Sequence, residues 1–221
     1  MKYLFLILFW AFTVIHLIDS WKDDSRRRAM TKPLLLLFLL LFYGFSTDTL
    51  NWVLAAALLT SWLGDVLLIP KGHDWFTAGG ISFMLSHFLF IAVYIPAIRF
   101  SLVPWLLVVP MAVLYYGISF AIIWAVQPST PKVMVVPMYV YLLANSTMNL
   151  FALMQMVTTR SLGGVVAYVG AVFFFISDCT LFLVRYHRNK ELIFKKHFTV
   201  MLTYLVGEFL IALGILLLNM G

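Results

Sequence analysis

The chain has 221 residues, of which 63% are hydrophobic and 11% charged, and its mean hydropathy is +1.00. A soluble domain carries roughly 25% charged residues, so this composition excludes a soluble globular protein and calls for an integral membrane protein. The formal net charge of +6 does not signal nucleic-acid binding, because the basic residues are confined to short stretches between apolar runs.

A bilayer core about 30 Å thick takes about 20 helical residues. Apolar runs between polar or Pro/Gly punctuation predict eight spans, at 3–18, 33–48, 50–69, 76–95, 102–126, 132–158, 163–185 and 197–219. The expected fold is an all-α polytopic transmembrane helix bundle of about eight spans, one transmembrane domain over residues 1–221. The opening MKYLFLILFWAFTVIHLIDS has a lysine and an apolar run but no small-x-small cleavage site, and reads as the first span. The polar stretch from Asp19 to Lys32 reads as the first loop, with Lys32 capping the start of span two. The single cysteine, Cys179, lies inside an apolar run, so no disulfide framework is expected.

Basic residues give the spans a direction. The stretches after spans one, three, five and seven hold Lys22, Arg26, Arg27, Arg28, Lys32, Lys71, Lys132, Arg185, Arg188, Lys190, Lys195 and Lys196. The opposite side holds only Lys2, Arg99 and Arg160. The positive-inside rule then makes the odd-numbered loops cytoplasmic and puts both termini on the non-cytoplasmic side. Asp65 and Asp178 fall in the cytoplasmic halves of spans three and seven, which run in the same direction. Duplication of a four-helix unit would produce this parallelism.

Two carboxylates inside apolar runs demand an explanation. Each costs on the order of 2.5–3.5 kcal/mol on the most lenient insertion scale. Asp65 interrupts SWLGDVLLI and Asp178 interrupts FFFISDCTLFL. Gly163, Gly170 and Ser177 recur every seven residues, with Gly164, Ala171 and Asp178 beside them, so Asp178 is expected in a helix–helix seam. Ala57, Ser61 and Asp65 form a similar ladder on span three. Span four places Gly80, Met84 and His87 together, with Ser82 and Ser86 on another face. Span six carries Tyr141, Asn145 and Asn149 on one stripe, and span eight carries His197, Met201, Tyr204 and Glu208. The asparagines also suit plain interhelical hydrogen bonding, and His87 suits packing as well as function. Small-residue stripes serve folding and dimerisation alike, so both uses stay open. No His-x-x-x-His, Cys-x-x-Cys, Gly-x-Ser-x-Gly or phosphate-cradling motif is present, and no metal or other cofactor is expected; a zinc site assembled from His16, His87 and His197 on three helices stays open but has no support from spacing.

Taken in order, Lys32-Pro33, Gly64-Asp65, FTAGGISFMLSHFLFIAVY at 76–94, Ser177-Asp178 and Thr203-Tyr204 resemble the lysoplasmalogenase (YhhN-like) family of membrane proteins over nearly the whole chain. The chain departs from that pattern at Phe90, where tyrosine is expected, and at Glu208, where glutamine is expected. The resemblance implies hydrolysis of the vinyl ether bond of lysoplasmalogens to a fatty aldehyde and glycerophospho-ethanolamine or -choline. It also implies Asp65 and Asp178 as the catalytic pair.

Vinyl ether hydrolysis suits two carboxyls. Its slow step, proton transfer to the β-carbon, needs an acid, and the oxocarbenium ion that follows needs a negative charge and an activated water. Glycosidases divide the same labour between two carboxyls. His87 and Ser177 are expected to orient the pair or the water, with Tyr204, Asn145 and Glu208 in support and Lys32 attracting the substrate's phosphate. The partners expected are a lysophospholipid and the bilayer, in a bacterial inner membrane or, in a eukaryote, the endoplasmic reticulum. The alternative is a proton-coupled carrier, since intramembrane Asp, Glu and His also build proton relays, and Pro110 and Pro137 suit broken helices. A non-catalytic scaffold would leave the cost of the aspartates unexplained.

Overall fold

The structure, a computed structural model, describes residues 1–220. Among these the secondary structure is wholly helical. The α-helices are α1 (Lys2–Trp21), α2 (Ser25–Gly44), α3 (Trp52–Leu67), α4 (His73–Tyr94), α5 (Trp105–Val126), α6 (Lys132–Thr159), α7 (Leu162–Tyr186) and α8 (Lys196–Met220). They match the eight expected spans one for one. Six of them are long and apolar enough to cross a membrane; α2 and α3 are the two others. The chain is an integral, multi-pass membrane protein. Trp52, Trp75, Trp105 and Trp124 are all exposed near helix ends, where amphipathic rings favour the membrane–water boundary.

Two helices, α2 and α3, depart most from expectation. Helix α2 starts at Ser25, eight residues before the apolar run, because the Asp24 side chain caps it by accepting from the Arg27 amide at 3.1 Å. Arg26, Arg27, Arg28 and Lys32 are therefore helical, and Lys32 sits two turns inside α2 rather than at its start. The reversal between α1 and α2 is short and carries Asp23 at φ 56°. Helix α3 has 16 residues, about 24 Å of rise, short of a full hydrocarbon core. Neither Pro110 nor Pro137 breaks its helix: α5 and α6 run on through them.

The chain divides into two compact units, Met1–Phe90 and Ile91–Gly221, with the division inside α4. In the first unit α1 and α2 are antiparallel, joined by stacking of Phe5 on Phe45, by Phe12 against Phe38 and by a 2.7 Å hydrogen bond between His16 Nδ1 and Thr31 Oγ1. His16, buried, thus has a structural partner. Helix α3 returns along α2, with the Asn51 amide donating to the Tyr43 hydroxyl at 3.0 Å and Trp62 Nε1 donating to the Pro33 carbonyl at 2.7 Å. On α4, Ser82 donates to the Thr60 carbonyl of α3 at 2.7 Å.

In the second unit α5 meets α6 through Ser119–Ser146 at 2.8 Å and Tyr116–Thr147 at 2.9 Å, and meets α7 through Tyr115–Tyr168 at 2.8 Å. Helices α7 and α8 touch backbone to backbone. A Cβ placed on Gly170 would stand 2.6 Å from the Ile211 amide nitrogen and 2.7 Å from the Gly207 carbonyl oxygen, and Gly163 and Gly214 are equally closed. The small-residue stripe of α7 is therefore spent on α8. Gly170→Ala is expected to lower stability by about 1–3 kcal/mol, read as detergent unfolding followed by helicity. Gly80→Ala is the control, since a Cβ there meets nothing within 4 Å, and it should not destabilise.

Candidate functional site

In the first unit the sequence-predicted carboxyl is Asp65 on α3, 1% exposed. Ala57 and Ser61 of its ladder are buried with it. Its Oδ1 lies 3.2 Å from the ammonium of Lys32, whose side chain is 15% exposed. Two local features hold this pair. The early start of α2 places Lys32 on a rigid helical turn instead of a loop, and the Trp62–Pro33 bond fixes the same stretch of α2 against α3 one turn before Asp65. Gly64 lets the Phe83 ring of α4 lie directly over the α3 backbone, where a Cβ would stand 2.7 Å from it. His87 of α4 is fully buried. The close approaches on the α3–α4 face come from Gly64 and Gly79, and not from Gly80.

In the second unit Asp178 on α7 is 4% exposed, within the seam the heptad spacing predicts. Asn145 Nδ2 of α6 donates to Asp178 Oδ2 at 2.7 Å, and Asn149 Nδ2 donates in turn to Asn145 Oδ1 at 3.0 Å. The Tyr141 hydroxyl hydrogen-bonds the same aspartate. The stripe Tyr141–Asn145–Asn149 is thus one polar face of α6 turned to α7. Glu208 of α8, fully buried, is close enough to the hydroxyls of Tyr141 and Tyr94 to act on both electrostatically. Three helices therefore bring Asp178, Tyr141, Asn145, Asn149 and Glu208 together.

The remaining predicted residues of this unit hold the helices together. Ser177 donates to the Val200 carbonyl of α8 at 2.9 Å, and Tyr204 meets Phe174 edge-on with ring centroids 5.5 Å apart. His197, the first residue of its stripe, is exposed. Sequence reading put Tyr141 on the span-six stripe without giving it a role, and did not single out Tyr94. The signal for Tyr141 was its place four residues before Asn145; Tyr94, at the end of α4, gave none. Among the described residues no group of three or more His, Cys, Asp or Glu could hold a metal ion.

The Asn145–Asp178 bond has a measurable strength. In a double-mutant cycle of Asn145→Ala with Asp178→Ala, each of which removes the bond, the expected coupling is about 0.6–2 kcal/mol, the range of interhelical hydrogen bonds in membranes. Detergent unfolding of the four variants checks it.

Neither a curated protein nor a solved structure matches the chain. The sequence profile of the YhhN family matches residues 27–215, a stretch that carries Lys32, Asp65, His87, Asn145, Asp178 and Glu208. With most of its length inside that match, the chain belongs to the YhhN family.

Proposed function

We propose that the protein is a membrane-embedded lysoplasmalogenase-type hydrolase that cleaves the vinyl ether bond of a lysophospholipid. The observation that carries this reading is the burial of two carboxyls, Asp65 and Asp178, inside apolar helices of a chain belonging to this family. One carboxyl gives its proton to the β-carbon of the alkenyl chain, and the oxygen-bearing α-carbon becomes an oxocarbenium ion. The other, as carboxylate, stabilises that cation and takes a proton from the water that adds to the α-carbon. The hemiacetal then collapses: the bond from the α-carbon to the glycerol oxygen breaks, the hydroxyl proton leaves, and the glycerol oxygen is protonated. The sum is substrate plus water giving a fatty aldehyde and a glycerophospho-alcohol, with both carboxyls restored after a proton returns through solvent. General acid–base catalysis of this kind supplies about 10²–10⁴-fold.

His87, Asn145, Tyr141, Tyr204, Ser177 and Glu208 support the two carboxyls in this proposal. By the positive-inside rule the odd-numbered loops face the cytoplasm of a bacterial inner membrane or an endoplasmic reticulum membrane. The head group then lies at the cytoplasmic surface, with the alkenyl chain in the hydrocarbon.

The test is to supply purified protein with lysophosphatidylethanolamines that differ only in the linkage at the first glycerol carbon. Aldehyde from the vinyl ether, and nothing from the alkyl ether or the ester, is the expected result. Fatty acid from the ester would point to a different hydrolase. An intact vinyl ether that merely crosses a vesicle bilayer would make the protein a carrier.

A further inference from the structure

Head-group attraction is the obvious use for a lysine near a membrane surface, and Lys32 does not fit it well. Its side chain is 15% exposed, it lies inside α2, and its ammonium is 3.2 Å from a carboxylate that is itself 2% exposed. A surface ion pair is dispensable, whereas a pair taken out of water persists only when geometry holds both charges together. Here the geometry is enforced from both sides. Trp62 Nε1 ties the carbonyl of Pro33, the residue after Lys32, to α3, and Trp62 precedes Asp65 by three residues on that same helix. The nearest turn of α2 is also anchored to α1 through Thr31 and His16.

We infer that Lys32 is the positioning residue of Asp65, holding it as an oriented carboxylate, so that the two aspartates have fixed and different roles. This rests on the hydrolase reading above. An Asp–Lys pair at this distance is an ammonium and a carboxylate, and a carboxylate has no proton to give. Of the proposed pair, Asp65 is therefore the group that stabilises the oxocarbenium ion and accepts the proton of water. The proton delivered to the β-carbon comes from Asp178. The balance is kept: Asp178 loses one proton to carbon, and Asp65 gains one from water.

Two measurements test the assignment. In steady-state assays with lysoplasmenyl-ethanolamine, Lys32→Gln is expected to lower kcat by at least about 10²-fold with KM changed little. Lys32→Arg keeps the charge and should recover most of kcat. A head-group ligand would behave in the opposite way, and a raised KM with unchanged kcat for Lys32→Gln would overturn the inference. Infrared difference spectroscopy supplies the second readout and needs no turnover, so it stands even if no lysolipid is cleaved. With Lys32 in place, and in a Glu208→Gln background that removes the other buried carboxyl of that unit, the band of a protonated intramembrane carboxyl should disappear in Asp178→Asn and persist in Asp65→Asn. Loss of that band in Asp65→Asn would show that Asp65 carries the proton, and the assignment would fall. Should Lys32→Gln not fold, Lys32→Arg and the two asparagine variants still decide the question.

Discussion

Asp178→Asn is expected to lower aldehyde release by about 10²–10⁴-fold while the protein stays folded. Asparagine has the volume of aspartate, and its carbonyl oxygen can still accept the 2.7 Å bond from Asn145 Nδ2. The polar face of α6 therefore keeps its partner, and α7 keeps its seam with α8, which depends on Gly163, Gly170, Gly207 and Gly214 rather than on Asp178. In the role proposed for Asp178, what the substitution removes is the proton given to carbon. Asp178→Ala is a poorer test, because it would also strand the amide of Asn145 in a buried place, and a fall in activity would then mix chemistry with lost structure. The variant is to be compared with wild type for aldehyde release and for helicity in the same detergent. Unchanged helicity with aldehyde release near wild type would remove Asp178 from the chemistry.

The second large effect concerns stability. Lys32→Met is expected to cost about 3–5 kcal/mol, because it leaves the Asp65 carboxylate buried without its counter-ion. Replacing both partners by apolar or neutral groups removes the charge together with its desolvation cost, so Lys32→Met combined with Asp65→Asn should recover most of the loss. Detergent unfolding of wild type, the two single variants and the double variant gives the comparison. Recovered stability with no recovered catalysis is the expected signature of a pair that is part of the machinery and not merely of the scaffold. If Lys32→Met alone were as stable as wild type, the pair would be a solvated surface contact despite its burial.

Hydropathy made most of the fold legible. Eight apolar runs became eight helices, and the ends of α5, α6 and α7 lie within three residues of expectation. The start of α2 was hidden because its first turns are Ser-Arg-Arg-Arg-Ala-Met-Thr-Lys, polar in composition and helical only through the Asp24 cap and packing against α1. A helical turn that carries charge at a membrane boundary looks like a loop to any scale of hydrophobicity. The same misreading placed Lys32 at a helix start, whereas it lies inside α2 with its ammonium against Asp65.

For the site, a lone carboxylate in an apolar run is visible from sequence, and both aspartates were. The stripe through Asn145 and Asn149 was visible too, because four-residue spacing fixes which side chains share a helical face. Partner identity was not. Lys32 and Asp65 are joined by the packing of α2 on α3, and Asn145 and Asp178 by the packing of α6 on α7, and neither pairing leaves a local pattern. Tyr94 reached the neighbourhood of Glu208 with no local signal at all.

The most direct measurement runs the reaction in deuterium oxide with lysoplasmenyl-ethanolamine and traps the aldehyde at once as a stable derivative for mass spectrometry. If a carboxyl of this protein protonates the β-carbon, wild type should release aldehyde carrying one deuterium on the carbon next to the carbonyl, and Asp178→Asn should release almost none. Aldehyde without that deuterium, or no aldehyde from folded wild type, would contradict the two-carboxyl account.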